Sequence, residues 1–421
     1  MPDSFVPGAR EYSMLSVLDR FAAVSAVRGQ RKPSHLEILS EESVFSEHLR
    51  QVEVYVSVLS TDPCTDARHT YPPYKCLSLN ICMDGLSLYK SSSVQFWPIM
   101  ANIHEMPEVP PMTVAIFCGM SKPGDLESYL RPLIEELNIL KQYGIIIKSR
   151  TFSVNLRAII ADSPARSFIK GVANFNAKNG YLKYLQNFNM IDGVVTSDPL
   201  HLIDLGVTRK LLLGWRNGSL GIATKLSAKQ TKEISESLCK IQLPSEIHRA
   251  LRPIEHLRHW KGRELSNFLL YPSLVVLKDV LCEGAYNHFL LYFSAVTMFS
   301  SEKYRQNWHV AAKMLEDFVD EFGMIYDEKY LTSNVHNLLH VYDDVENYGV
   351  LGTISSYPFE NHLQFLKKIV RGAIWNCFVL VHRPKIQIET CVVNTQLEKQ
   401  GKCKYSFCIV QVKDVIDRYC L

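Results

Sequence analysis

The stretch SLNICMDGLSLYKSSSVQFWP, residues 78–98, decides how the chain is read. Apolar and polar residues alternate up to Met83, the mark of a strand with one buried face. The alternation stops at Asp84, and Gly85 follows. An aspartate before glycine at a strand end ordinarily serves a turn. Residues 76–83 are therefore expected to form a strand, with 86–90 as its hairpin partner across Asp84-Gly85. A carboxylate there also sits where open α/β sheets place their ligands, beyond the C-terminal ends of strands.

Downstream, MTVAIFCG (112–119) is almost continuously apolar, as a strand covered on both faces should be. GDLESYLRPLIEELNILKQYG (124–144) spaces Leu126, Leu130, Leu133, Ile134, Leu137 and Leu140 along one helical face and closes at Gly144. TFSVNLRAIIAD (151–162) is another strand that ends in an acid, Asp162. The proline in SPARSFIKG (163–171) signals a helix start. If the first and fourth of these strands lie adjacent and parallel, Asp84 and Asp162 face one another.

From about 205 to 345 the spacing is helical, carried by TKEISESLCKI, LVVLKDVLCEGAYNHFLLYFSAVTMF and WHVAAKMLEDFVDEFGMIY, with a loop expected over 243–264. SSYPFENHLQFLKKIVRG (355–372) is a further helix with Glu360 in its first turn. The expected fold class is α/β. Residues 76–204 supply strands and helices, 205–345 a helical insertion, and 346–372 the helix with the third acid. Residues 1–75 read as a loosely attached arm, and 373–421 as a strand-like tail.

Composition sets the bounds. The chain has 421 residues, 47% apolar and 21% charged, which is globular usage. A net charge of +3 is too small to argue for nucleic acid, so any basic surface must be local. Eleven cysteines occur without a C-x-x-C pair, which favours reduced, buried thiols. No apolar signal core opens the chain, and the longest apolar run, 289–299, is too short for a bilayer. A soluble protein of cytosol or nucleus is expected. The absence of G-x-x-x-x-G-K-[ST] and G-x-S-x-G argues against P-loop and nucleophile-elbow chemistry.

Three acids stand out by position: Asp84, Asp162 and Glu360. Converging carboxylates repel one another unless cations hold them, and Mg²⁺ prefers such oxygen ligands. Two such ions could clamp an in-line phosphodiester displacement. The ordinary alternatives are a turn aspartate and a glutamate that complements a helix dipole.

The runs LSLNICMDGLSLYKSSSVQFWPIM, FCGMSKPGDLESYLRPLIEEL, ADSPARSFIKG, DPLHLIDLGVTRKLLLGW, LTSNVHNLLHVYDDVENYG and SSYPFENHLQFLKKIVRG together resemble the transposase domain of CACTA (En/Spm-type) DNA transposons, collinearly from about 76 to 372. The resemblance implies an RNase H-like fold with a helical insertion before the last acid. It implies metal-dependent hydrolysis and strand transfer at transposon ends, with Asp84, Asp162 and Glu360 as the catalytic, Mg²⁺- or Mn²⁺-binding triad. It further implies a D-x-x-H element, here Asp198 and His201, in an accessory role. DNA terminal repeats are the implied partner, a nucleus the implied location, and a homo-oligomer is compatible. The family's C-x-x-C pair has no counterpart in NAKNGYLKYLQNFNMIDG, which puts a zinc site in doubt. An upstream DNA-binding module and the last 49 or so residues also lack a match, as in a truncated copy. A non-catalytic DNA-binding or protein-interaction remnant is the alternative.

Lys90, Arg166, Lys170, Arg209 and Lys210, with Lys367, Lys368 and Arg371, fall on elements adjoining the triad and are candidates for phosphate contact. Trp97, Trp215, Trp260 and Tyr181 are candidate base-stacking residues, against the commoner core role. His336 and His340 share the i, i+4 spacing of zinc ligands but lack a third partner, so core packing is expected for them.

Overall fold

The computed structural model describes residues 75–87, 95–147, 150–171, 181–245, 247 and 250–368. The expected N-terminal arm (to residue 74) and strand-like tail lie outside these residues, as do Lys90 and Arg371. The chain is mixed α/β, with a mixed parallel and antiparallel sheet and many helices. It divides into two compact bodies. One holds residues up to Leu156, Ser167–Phe188 and those from Phe359; the other holds Arg157–Arg166 and Asn189–Pro358.

The first body is built on β1 (Cys76–Met83), β2 (Leu86–Ser87), β3 (Gln95–Ile103), β4 (Met112–Gly119), β5 (Ile145–Ile147) and the start of β6 (Arg150–Ile160). The sheet order is β2-β3-β1-β6-β5, with β4 on the other edge of β3. The central position of β3 corrects the expected hairpin. β2 pairs with Gln95 and Phe96 of β3, not with β1. A two-residue hairpin turn of type I′ needs positive φ at both central residues, and neither Asp84 nor Gly85 has it. The chain instead runs straight on, and β1 and β2 take successive lengths of the same β3 edge, β1 from Ile99 and β2 up to Phe96. Trp97 and Pro98 face the gap between them. A proline, which has no N–H to give, is tolerated inside a sheet where no ladder bond is required of it. That proline is also why β3 escapes notice in the sequence.

Gly85 is fixed by the same junction, because a Cβ there would lie 2.9 Å from the Trp97 ring. The alternation of residues 76–83 buries Leu79, Ile81 and Met83 completely. The helix α1 (Leu126–Tyr143) buries Leu130, Leu133, Ile134, Leu137 and Leu140, as its spacing requires, and its Tyr129 meets Trp97 of β3 and Phe117 of β4. Each such side chain contributes about 1.5–3 kcal/mol. Asp125 caps α1, accepting from the Glu127 and Ser128 amides, and Gly144 ends it at φ 70°.

The second body receives the end of β6, where Ile159 and Ile160 pair in parallel with β7 (Val194–Val195). The helix α2 (Ser163–Ile169) follows β6. After β7 come a π-helical segment, Pro199–Thr208, and α3 (Arg209–Asn217), then α4 (Ala228–Lys240) and a 3₁₀ helix, Ile254–His259. Next are α5 (Gly262–Leu270), α6 (Ser273–Lys278), α7 (Glu283–Phe299), α8 (Trp308–Tyr326), α9 (Ser333–His336) and α10 (Val341–Tyr348). Two expectations are corrected. The loop over 243–264 contains the 3₁₀ helix and the start of α5. The helical run 274–299 breaks between α6 and α7. Aromatic rings tie α7 to α8: His288 stacks on Phe318 at 4.1 Å, and Tyr292 lies 5.3 Å from the same ring. Burial pushes the His288 imidazole down to about 4, and its Nε2 donates to the Phe318 carbonyl at 2.8 Å. It is therefore a neutral core residue at physiological pH.

Residues 357–368 form the last described helix, α11. No helix among the described residues is long and apolar enough to cross a membrane. Of the described cysteines, Cys82 is buried as expected, whereas Cys239 and Cys282 are exposed.

Candidate active site

In the first body, Asp84 and Glu360 come together: a carboxylate oxygen of each lies within 4.8 Å of the other. Both are half-buried. Asp84 follows the last residue of β1, where the ladder opens, and its Oδ1 accepts the Gly85 amide at 2.6 Å. Glu360 is carried by α11, which is docked by Phe359 and Leu363, both buried. His362 Nε2 meets the Thr113 hydroxyl of β4 at 2.9 Å, and Lys367 Nζ donates to the Ser87 carbonyl of β2. The helix is thus held to strands on both edges of β3. Under the Asp84 turn lie Trp97, Tyr129 and Phe168, with Trp97 and Phe168 edge to face at 5.4 Å. The Tyr129 hydroxyl donates to the Trp97 carbonyl at 3.3 Å, and burial, then the neighbouring Cys82 and Asp84, push its pKa up.

In the second body, Asp162 stands just past β6 and accepts the Ala165 amide at 2.8 Å, so it caps α2. Asp198 is 1% exposed and caps the π-helical segment. It accepts from His201 Nδ1 at 2.5 Å, from the Ser356 amide at 2.8 Å and from the Ser356 hydroxyl at 2.6 Å. Burial alone would raise this carboxyl, but hydrogen bonds from His201 and Ser356 outweigh it and hold the pKa below the ordinary value. A carboxylate on Nδ1 fixes the imidazole tautomer and leaves Nε2 as the working nitrogen, as in carboxylate–histidine–metal arrangements. His201 is partly exposed, with 26% of its side chain open. Ser356 touches Asp198 and the Nδ1 side of the ring, so the trio is a positioning network, not a nucleophilic triad.

The sequence reading missed a second buried acid. Asp204, 3% exposed, accepts the Tyr357 hydroxyl at 2.6 Å. Burial pushes it up to about 8; the Asp198 charge adds to this, while the Tyr357 hydroxyl and Arg263 oppose it. Arg263 lies 4.4 Å over the Tyr357 ring. These three groups line a cleft of about 330 Å³ in this body, with Ile203, Leu269 and Val296 as its apolar wall. An acid inside the apolar run HLIDLG was the available signal.

The candidate phosphate contacts fare unevenly. Arg166 is turned inward: Nη1 donates to the Val195 and Thr196 carbonyls and Nη2 to the Ser163 hydroxyl. Arg209 Nη2 donates to the Arg258 carbonyl at 3.1 Å, and burial lowers the pKa of Lys210. Lys170 is half-buried, and Lys367 is engaged with β2. Stacking on bases by Trp97, Trp215 and Trp260 is overturned, since they are only 8%, 1% and 2% exposed. Trp215 is instead tied to the Tyr326 hydroxyl and sits against Phe289. Tyr181 opens a short 3₁₀ turn, Tyr181–Tyr184. His336 and His340 are exposed rather than packed in the core, with ring centroids 5.8 Å apart.

Neither a scan against protein-family models nor a search of curated proteins gives a match for this chain.

Proposed function

We propose that the chain is a transposon-derived, RNase H-like DNA transposase domain that hydrolyses and transfers phosphodiester bonds with divalent-metal help. One observation carries the reading. Asp84, at the end of a buried strand, and Glu360, on a helix pinned to the same sheet, bring their carboxylates within 4.8 Å despite their distance in sequence. In octahedral coordination at about 2.0–2.1 Å, opposed oxygen ligands of Mg²⁺ lie about 4 Å apart, so this pair suits one shared cation after a small adjustment. Exposed acids also gather without ions, but here both members are half-buried, one just past a strand end and the other on a helix held by two hydrogen bonds to the sheet.

Asp84 and Glu360 would hold Mg²⁺ or Mn²⁺, with Asp162 as the third carboxylate of the reading. The bound ion would supply charge neutralisation for the phosphodiester and an activated water or 3′-hydroxyl. The chain's own part is positional. The Trp97–Pro98 junction sets the Asp84 carboxylate, and α11 sets Glu360. Asp198 keeps the His201 imidazole in the tautomer that can take a proton, or donate a lone pair, at Nε2.

The test is cleavage of terminal-repeat DNA by the purified chain with Mg²⁺ or Mn²⁺, beside Asp84→Asn and Glu360→Gln. Metal-dependent cleavage lost in both variants is the expected result. Equal background cleavage in all three, with metal present, overturns catalysis and leaves a non-catalytic remnant of a transposase.

A further inference from the structure

Charges on the helical surface of the second body are mostly arranged in pairs. Lys229 and Glu233, Lys232 and Glu236, Lys313 and Asp317, and Lys329 and Asp327 stand 3.8, 3.8, 3.0 and 2.8 Å apart. The segment RPIEHLRHWKGR, residues 252–263, breaks this pattern. It holds Arg252, Arg258, Lys261 and Arg263, with His256 and His259, against the single acid Glu255. Only Arg252 is used in an ion pair among the described residues. Its Nε and Nη2 meet the two oxygens of buried Glu264 at 2.6 and 2.9 Å, and Nη2 also reaches the His259 carbonyl at 2.5 Å. Glu255 accepts the Ser235 hydroxyl.

The arrangement is rigid as well as basic. Ile254, Leu257 and Trp260 are buried anchors at 0%, 0% and 2% exposure, while His256, Arg258, His259, Lys261 and Arg263 all face solvent. The Arg252 staple closes the loop beneath them. Like charges held together on a fixed backbone repel and cannot relax apart, a cost that a polyanion relieves. Lys261 and Arg263 also bracket the first residue of the nine-residue α5, whose end carries partial positive charge. The Arg209 guanidinium is bonded to the Arg258 carbonyl, which brings the basic start of α3 beside the same loop.

We infer that residues 256–263 form a phosphate-backbone contact surface for nucleic acid, with Arg258, Lys261 and Arg263 as its cations. The proposed function supplies only the identity of the polyanion; the surface stands on its own charge and geometry. Contacts of this kind give sequence-independent, salt-sensitive affinity.

The experiment is fluorescence anisotropy of the full chain with a labelled random-sequence DNA duplex, in chelator, across a salt series. A single-stranded DNA of the same sequence is the second probe. Arg258→Ala/Lys261→Ala should weaken duplex binding about tenfold or more and flatten the slope of log affinity against log salt by about 2, near 0.9 for each phosphate released. Lys229→Ala/Lys232→Ala, which removes paired surface cations, should leave both unchanged. Circular dichroism melts confirm that each variant folds. Unchanged slope and affinity in the first variant, or no binding of either probe by the parent at low salt, overturns the surface. Binding confined to the single strand changes the partner's form but keeps the surface if the first variant loses it. Chelator removes metal chemistry, so failed cleavage and failed binding are read separately.

Discussion

Replacing Asp204 by asparagine should stabilise the second body, by an amount that grows with pH. In an unfolded chain this carboxyl has its ordinary pKa of 3.8; in the folded chain burial raises it to about 8. Below the unfolded value both states carry the proton and the site costs nothing. As pH rises toward the folded value, the unfolded chain ionises while the folded chain keeps its proton. Stability then falls by about 1.4 kcal/mol per pH unit and levels off once the folded group ionises too. Near pH 7 this amounts to about 4 kcal/mol relative to strong acid. Asparagine keeps a carbonyl to accept the Tyr357 hydroxyl and has no charge to bury, so its gain should be about 2–4 kcal/mol near neutrality. Urea unfolding followed by tryptophan fluorescence is a suitable assay, because Trp215, Trp260 and Trp308 are buried in this body. The decisive quantity is the variant-minus-parent difference at about pH 5 and about pH 8. A difference that stays flat between them, or a variant less stable than the parent throughout, would refute the account of Asp204 as a proton-holding acid.

Other consequences follow from single contacts. Asp84→Asn and Glu360→Gln should each weaken Mn²⁺ binding, read by electron paramagnetic resonance, by about 10-fold or more; parent-like binding in both would remove the ion from this pair. Gly85→Ala forces a methyl against the Trp97 ring and should cost about 1–3 kcal/mol in denaturant unfolding. Arg252→Ala takes the two-pronged guanidinium contact from Glu264, whose side chain is 2% exposed, and should cost about 2–3 kcal/mol; adding Glu264→Gln should recover much of the loss. Asp198→Asn should slow any cleavage through loss of the imidazole tautomer while leaving Mn²⁺ affinity nearly unchanged, a split that a purely structural role would not produce.

The helices and strands written in a single periodic pattern were legible. Residues 112–119 and 308–326 are a strand and a helix with the limits their patterns imply, and α1 lies between its capping aspartate and its closing glycine. What failed to show were features set by partners far away in sequence. Pro98 disguised β3, because the vacancy it needs is created by β1 and β2, not by its own neighbours. The π-helical Pro199–Thr208 has no counterpart among the usual periodicities, so its apolar run could not announce a wider turn. In the site, Glu360 beside Asp84 was expected, from its place in PFEN as much as from any pattern. Ser356 and Tyr357, by contrast, read only as part of the helix expected over 355–372, yet one binds Asp198 and the other Asp204. Arg166 carried the charge of a phosphate contact, but three inward hydrogen-bond acceptors claim it.

The two unzipped positions between β1 and β2 have an evolutionary corollary. Deleting one residue from Met83–Leu86 would move β2 by one place along β3 and rotate Leu86 from interior to solvent. The same edit would swing Asp84 off its bearing toward Glu360. Core and site are spelled in one reading frame here, so drift in length at this junction should be purged by misfolding even in a chain that had lost every use for its carboxylates.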